Sequence, residues 1–411
     1  MSSLQPVRGT HDLLPDDSRR HRHVEETAFA VVKRYGFGEV VTPIFEFTEV
    51  ILRTLGETSD VVTKEMYTFT DRSGDSITLR PEGTAGVARA FISGGLSQNL
   101  PLKLFYRGPM FRHERPQKGR LRQFHQVGVE LLGVDSPLAD VEVVSMAWRV
   151  LSALGLGDKV QLEINTLGDA ESRAAYRDAL IAYLTPHRDK LSEDSRNRLE
   201  KNPMRVLDSK DEGDKAIVAG APLIHECLTP AAREFFDAVT GGLTALGVPF
   251  VVNPKLVRGL DYYCHTAFEF TTTALGAQGT VLAGGRYDGL IGQMGGPSTP
   301  GIGWAAGVER LSMLVGEVPP AERPVAVIPM GDATAAMVLA DSLRQAGLSV
   351  EMGFSGNMKK RMARANKANA RFAVILGEDE AARGAATLRD LDSGAQEEVP
   401  LAALKERLLR S

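Results

Sequence analysis

Three arginines lie among glycines and apolar residues in a way that suits chemistry on a phosphate: Arg112, Arg258 and Arg310. The guanidinium fork holds a phosphate through two parallel hydrogen bonds. A single buried arginine is usually an ion-pair partner, but three in such settings fit phosphoryl chemistry, where catalysis is mainly positioning and neutralisation of charge. No GxxxxGK[ST] loop occurs, so any nucleotide is held by side chains on a sheet.

Arg112 belongs to LFYRGPMFRHERPQKGRLRQFHQVGVE, residues 104–130. This reads as an apolar strand carrying Arg107 and Arg112, a polar loop, and a returning strand with Gln123, His125, Gln126 and Glu130. Its six Lys and Arg residues stand against two acidic ones in a chain of formal net charge -4. Such a strand–loop–strand places an anion on a rigid sheet while the loop reaches for a larger polyanion, a nucleotide or a nucleic acid. TLRPEGT (78–84) sets Arg80 and Glu82 around a proline. Glu82 could bind a ligand ammonium, with Thr84 adding a hydroxyl; equally, the segment could cap a helix and close an internal salt bridge. In AGGRYDGL (283–290), Gly284 and Gly285 either let a ligand approach the backbone or mark a bulge. Tyr262 and Tyr263 suit a pocket wall or ordinary packing.

The elements that must position these residues follow from periodicity. Residues 21–33 suit an amphipathic helix and GFGEVVTPIFEF a strand, with Pro43 at an edge or interface. Residues 66–80 read as a hairpin, 84–95 as a helix, 138–154 as a helix, and KVQLEINTLG as a strand. From 170 to 245 the pattern is helical, interrupted by KNPMRVLDSKDEGD, as in an insertion. Strand patterning resumes through VPFVVNPKLVRGLDYY, HTAFEFTTT and GTVLAGGRYDGL, and GIGWAAGVERLSMLVG reads as a glycine-rich helix start. VPPAERP (318–324) is a hinge. Strand and helix then alternate, as in a small α/β domain, whereas the first part suggests an antiparallel sheet.

Composition narrows the class. With 411 residues, 43% hydrophobic and 24% charged, this is a globular chain of two or three domains. The slightly negative net charge argues against a general nucleic-acid coat protein. Cys227 and Cys264 form no CxxC pair, and the eight histidines lack HExxH spacing, so no structural metal site is expected. MSSLQPVRGTHDLLPDD has no signal-peptide core, and no apolar run of about 18 residues occurs. A cytoplasmic protein without membrane contact is expected. GNMKKRMARANKANAR (356–371) has six basic and no acidic residues. Lys360, Arg364, Lys367 and Arg371 fall on one helical face, either a solvated surface or a polyanion contact.

RGTHDLLP, the segment ending at Pro43, TLRPEGT, FRHERPQKGRLRQFHQ, LVRGLDYY, AGGRYDGL and GIGWAAGVERL together resemble the histidyl-tRNA synthetases of bacterial type, class II aminoacyl-tRNA synthetases, essentially end to end. The resemblance implies an α+β fold: a six-stranded antiparallel catalytic sheet with helices (1–169 and 246–317), a helical insertion (170–245), a linker (318–324) and an α/β anticodon-binding domain (325–411). It implies activation of L-histidine by ATP to histidyl-adenylate and transfer to the 3′ end of tRNA(His), with Mg²⁺ accompanying ATP through its phosphates, in a homodimer. Glu82, Thr84 and Gln126 then hold the α-amino group, Gly83 belongs to the same histidine-binding set, and Glu130 and Tyr263 read the imidazole. Tyr262 and Tyr287 line the pocket. Arg112 and Arg258 meet the α-phosphate, Arg310 the γ-phosphate and Glu114 the adenine amino group. Gln117 and Arg122 lie by the loop that meets the tRNA acceptor end, where an extra 5′ guanosine would be read. A catalytically inactive relative, the regulatory subunit of ATP phosphoribosyltransferase, lacks the last domain and is degenerate in the arginine and imidazole-pocket motifs, which this chain keeps. A synthetase-like RNA-binding module would need the basic stripe but not Arg258, Glu130 or Tyr263.

On this reading the stripe contacts tRNA phosphates, a salt-sensitive interaction. Lys360→Glu with Arg364→Glu should raise the apparent KM for tRNA about tenfold and leave histidine-dependent ATP–pyrophosphate exchange alone; loss of exchange would mark the stripe as structural instead.

Overall fold

The computed structural model describes residues 4–56, 59, 61–117, 119–257, 262–276 and 279–410. Two compact units divide the chain, residues 1–318 and 319–411. In the first, helix α1 (Pro15–Val32) starts with proline, Asp16 and Asp17, all favourable in a first turn, and buries Val24, Ala28, Val31 and Val32 along one face. Strands β1 (Gly38–Glu39) and β2 (Phe45–Phe47) follow. The single strand expected over GFGEVVTPIFEF is therefore two short ones, with Pro43, which has no N–H to donate, in the break. After α2 (Thr48–Leu55), β3 (Tyr67–Thr70) and β4 (Ser76–Leu79) form the hairpin expected over 66–80, and β4 is the centre of a three-stranded antiparallel sheet with β2. Helix α3 (Thr84–Ser93) comes next.

β5 (Leu102–Phe111) and β6 (Gln123–Leu132) pair antiparallel along their whole length. The remaining strands of this sheet are β7 (Gln161–Thr166), β8 (Val251–Val252), β9 (Cys264–Thr271), β10 (Thr280–Arg286) and β11 (Gly301–Gly307). Its order is β1-β5-β6-β11-β10-β9-β7-β8. The six central strands pair antiparallel, and the two-residue strands β1 and β8 add parallel edges. Residues 301–307, expected to begin a helix, are instead the strand β11, and helix α10 (Val308–Leu314) starts only after it.

Helices α4 (Pro137–Ala153), α5 (Ala170–Leu184), α6 (Glu193–Lys201), α7 (Glu212–Val218), α8 (Pro230–Ala245) and α9 (Leu290–Gln293) complete the unit. The main core joins α1, α4 and α8 to one face of the sheet, including Val127, Val129 and Leu131 of β6. Because side chains alternate along a strand, Gln126 and Glu130 face the other side. The helical stretch 170–245 divides between two cores: Tyr176, Leu180, Leu184, Leu199, Val206 and Ile224 form one of their own, while Phe236, Val239 and Leu243 of α8 pack into the main core. No helix among the described residues is long and apolar enough to cross a membrane.

In the second unit β12 (Val325–Pro329), α11 (Ala333–Gln345), β13 (Val350–Met352), α12 (Met358–Lys367), β14 (Phe372–Leu376), α13 (Glu378–Ala382), β15 (Ala385–Asp390), β16 (Gln396–Pro400) and α14 (Leu401–Leu409) form a sheet β13-β12-β14-β15-β16 with its helices. The first three strands are parallel and the last two antiparallel additions. Lys360, Arg364 and Lys367 are exposed on α12, but Arg371 lies beyond the helix and pairs with Asp390 and Asp392, so it leaves the expected stripe.

One fully buried ion pair ties the sheet to α4. Arg286, at the end of β10, donates to Asp140, to the Val134 carbonyl at 2.9 Å and to Asp288 at 3.0 Å, with the Phe235 ring 5.3 Å away. Removing only the cation strands a buried carboxylate, so Arg286→Leu should lose about 3–5 kcal/mol of stability. Urea unfolding measures it, and a loss under about 1 kcal/mol would mean that Asp140 takes up a proton or another partner.

Candidate active site

On the face of the sheet opposite the main core lies a cavity of about 260 Å³. Its lining includes Glu82, Thr84, Arg112, Glu114, Gln126, Glu130, Tyr262, Tyr263, Tyr287 and Arg310. Ten of the residues singled out from the sequence thus meet in one space. Arg258 lies outside the described residues.

The turn from β4 into α3 supplies the first wall. Glu82 accepts hydrogen bonds from the backbone N–H groups of Thr84 at 2.6 Å and Ala85 at 2.7 Å, and so caps α3. The capping reading holds, while Arg80 turns away and donates to the carbonyls of Pro109 and Thr42, each at 2.9 Å. Burial raises the Glu82 carboxyl above its usual range although the two N–H bonds and nearby Arg112 oppose the shift. Gly83 does not line the cavity: a Cβ there would stand 2.1 Å from the Tyr106 ring, so glycine makes room for that ring.

Glu130 is the cavity's second acid, only 1% exposed. Thr84 donates its hydroxyl to Oε1 at 2.7 Å, and the Tyr287 hydroxyl donates to Oε2. Burial pushes Glu130 up to about 8 against the pull of these two bonds, and Glu82 adds to the shift. Gly303 faces Glu130 across the β6–β11 ladder, and a Cβ there would fall 2.0 Å from Oε2. Gln126, two pleats along the same strand face, has a buried Oε1 without a hydrogen-bond partner among the described residues. An orphan acceptor beside two buried acids is a place for a ligand's N–H groups. The rings of Tyr262 and Tyr263 lie 4.5 Å apart and those of Tyr262 and Tyr287 5.8 Å, forming an aromatic wall.

The glycine pair of β10 divides its work. A Cβ on Gly284 would strike the Gly303 carbonyl at 2.1 Å, so this glycine serves the contact between strands rather than a ligand. The ladder shifts register between Gly285 and Arg286, the bulge anticipated there.

Arginines mark the rest of the cavity. Arg112, expected mid-strand, stands just past the end of β5. It donates to the Pro81 carbonyl at 2.9 Å and lies over the Phe124 ring at 5.4 Å. Arg120 donates to Glu114 at 3.0 Å, and Arg310 donates to the backbone carbonyls of Gly119 and Thr280. Burial, then the charges of Arg120 and Arg112, lowers the Arg310 pKa against the opposing effect of Glu114. Cations gathered in this way suit an anionic ligand. Sequence reading missed Arg120, Phe124 and Glu309 as lining residues; the first two stand within FRHERPQKGRLRQFHQ and Glu309 within GIGWAAGVERL, which were the available signals. Gln117 and Arg122 are not in the lining. Gln117 bridges to Arg120 within the loop, and Arg122 ties that loop to the N-terminal segment, its N–H donating to the Gly9 carbonyl at 2.8 Å. Lys360 and Arg364 belong to the second unit.

An antiparallel sheet bearing these acids and arginines, with a separate α/β unit, defines a class II aminoacyl-tRNA synthetase fold. The histidyl-tRNA synthetase family model matches residues 9–311, and the anticodon binding domain model matches 324–411. Histidine–tRNA ligases of Rhodospirillum rubrum and Gluconacetobacter diazotrophicus are 68% and 60% identical, over 100% and 98% of both chains. The apo histidyl-tRNA synthetase of S. aureus superposes with a TM-score of 0.84 at 34% identity, covering 98% of this chain and 99% of that one. The chain therefore belongs to the histidyl-tRNA synthetase family.

The buried acid predicts a pH dependence. Folded, Glu130 keeps its proton to about pH 8; unfolded, a glutamate loses it near 4.5. Between these values the folded state holds the extra proton, so stability falls as pH rises. Glu130→Gln removes that contribution: its melting temperature should exceed wild type by about 5 °C at pH 8, with the gap closing towards pH 5. An equal gap at both pH values would assign the ionisation to another group.

Proposed function

We propose that the cavity binds L-histidine at its acidic part and ATP at its arginine-rich part, and that the protein forms histidyl-adenylate and passes the histidyl group to tRNA(His). The observation that carries this is the pairing of an unpartnered Gln126 Oε1 and two buried carboxyls with three clustered arginines in one cavity. The ligand's ammonium needs acceptors, which Glu82, Thr84 and Gln126 provide; its imidazole needs an acceptor for a ring N–H, which Glu130 provides, with Tyr263 on the other ring nitrogen. A buried polar pocket rejects amino acids that leave its own groups unpaired.

The histidine carboxylate oxygen attacks the α-phosphorus, and pyrophosphate leaves. Arg112 lies near both Glu82 and Arg310 electrostatically, as a residue on the α-phosphate should when amino acid and γ-phosphate flank it. Arg258 joins it there, Arg310 takes the γ-phosphate, and Glu114 receives the adenine amino group. The tRNA 3′-terminal hydroxyl then attacks the carbonyl carbon and AMP leaves. Mg²⁺ arriving with ATP would neutralise part of the phosphate charge; Glu114 is already paired with Arg120.

Residues 1–169 and 246–317 act as the catalytic domain, 170–245 as the insertion and 325–411, after the 318–324 linker, as the anticodon reader, with Lys360 and Arg364 on tRNA phosphates. Gln117 and Arg122 support the loop toward the acceptor end. The protein works in the cytoplasm as a homodimer: Val41, Ile44, Phe45 and Phe47, exposed around Pro43, form an apolar surface that a second copy would cover.

ATP–pyrophosphate exchange with each standard amino acid tests the reading. Exchange should occur with histidine alone, vanish in Arg258→Ala and fall roughly 100-fold or more in Glu130→Gln. A wild-type protein that exchanges with no amino acid would instead be a regulatory or binding relative.

A further inference from the structure

Helix α10 carries Arg310 in its first turn, yet its start has no cap of its own: Gly307 provides no side-chain hydrogen bond. The β6–β11 ladder also stops there, its last pair being Gly307 with Gln126. Beyond that pair the His125 N–H has no strand partner on the β11 side. Glu309 fills the gap. Both its oxygens accept from the His125 N–H at 2.9 Å, and Oε1 lies 2.9 Å from the ring Nδ1. Glu309 is 8% exposed and also lines the cavity. His21 of α1 backs the pair, its ring edge-on to His125 with centroids 5.6 Å apart. Glu25 on the same helix adds a nearby carboxylate.

We infer that the His125–Glu309 link is a positioning device that holds Arg310 in register with Gln126, setting the phosphate side of the cavity relative to the amino-acid side. The inference rests on the two-substrate reading of the cavity. Gln126 and Glu130 are fixed by pairing on both sides of β6, so breaking the link leaves the amino-acid side in place. Arg310 has passed the end of the ladder, and Glu309, its neighbour, anchors it to β6. Histidine binding should therefore survive a break that ATP use does not.

The test compares Glu309→Gln, His125→Ala and His125→Asn with wild type. Asparagine can present an amide N–H near the position of Nδ1–H, so it should restore part of what alanine loses. In Glu309→Gln and His125→Ala, kcat for exchange should fall about 10–100-fold and KM for ATP rise. The histidine Kd from equilibrium dialysis should stay within about twofold of wild type by the same positional argument, and His125→Asn should lie between. Wild-type kinetics in both variants would overturn the inference. So would parallel loss of histidine affinity, ATP use and melting temperature, which describes a merely structural contact. The atoms of His21, His125 and Glu309 lie within 4.8 Å of one another, so Co²⁺ is titrated as well. A d–d spectrum lost in Glu309→Gln would make the trio a metal site and overturn the positioning role. If wild type shows no histidine-dependent exchange, the two-substrate reading fails first, a result distinct from all of these.

Discussion

A carboxyl group held in the interior, with no cation paired to it among the described residues, organises this molecule's chemistry. Among the described residues Glu130 accepts from two hydroxyls, those of Thr84 and Tyr287, and burial keeps it protonated well above the normal range. Such a group is tolerated because each of its oxygens accepts a hydrogen bond and because the surrounding chain makes room for it. Gly303 gives up a side chain opposite it, Gly83 and Gly128 admit the Tyr106 ring beside it, and the TLRPEGT turn brings Thr84 within reach. A buried neutral acid can turn to accept from an arriving N–H and release its proton, at a free-energy cost that an apolar wall would not carry. Selectivity is thus obtained at the expense of stability.

The arginines extend the same logic with opposite sign. Glu114 compensates the group only in part: burial first, then the charges of Arg120 and Arg112, lowers the pKa of Arg310. Arg112 is the hinge between the two electrical regions, near enough to Glu82 to lower it and near enough to Arg310 to depress it. A ligand pair that is cationic at one end and polyanionic at the other relieves both strains at once. A simple dianion would relieve only one, which is why the cavity as a whole speaks for two substrates meeting at Arg112.

Much of this was legible in the chain. The β5–β6 hairpin declares itself by an apolar run, a basic loop and a returning strand, and the helix at 84 by its small and apolar residues. What failed did so for non-local reasons. GIGWAAG reads as a helix approach because glycine has poor strand propensity, yet it is a strand: β11 lies between β6 and β10, where Gly303 must clear Glu130 and Gly284 must clear the Gly303 carbonyl. Arg371 sits at helical spacing from Lys367, but α12 ends first and Asp390 and Asp392 claim it. Glu309 looks like an ordinary first-turn acid, and only the end of a ladder formed with residues far away in sequence gives it a partner. The N-terminal RGTHD segment is similar, since Gly9 meets Arg122 across more than a hundred residues.

The two sides of the cavity differ in how they are held. Gln126 and Glu130 sit within paired strands, where each side chain's direction follows from a register that cannot slip by one residue without inverting the face. Arg112, Glu114, Arg120 and Arg310 sit where ladders have ended, on a loop and a helix start secured by hydrogen bonds to carbonyls and by single ion pairs. Discrimination between amino acids depends on angstrom-scale placement of acceptors, so the rigid part of the sheet is the right place for them. Phosphates are bound through charge, which tolerates small displacements, and the leaving pyrophosphate must be let go. Placing the arginines beyond the ladder ends gives each substrate the stiffness its chemistry requires, with Glu309 limiting how far the softer side can move.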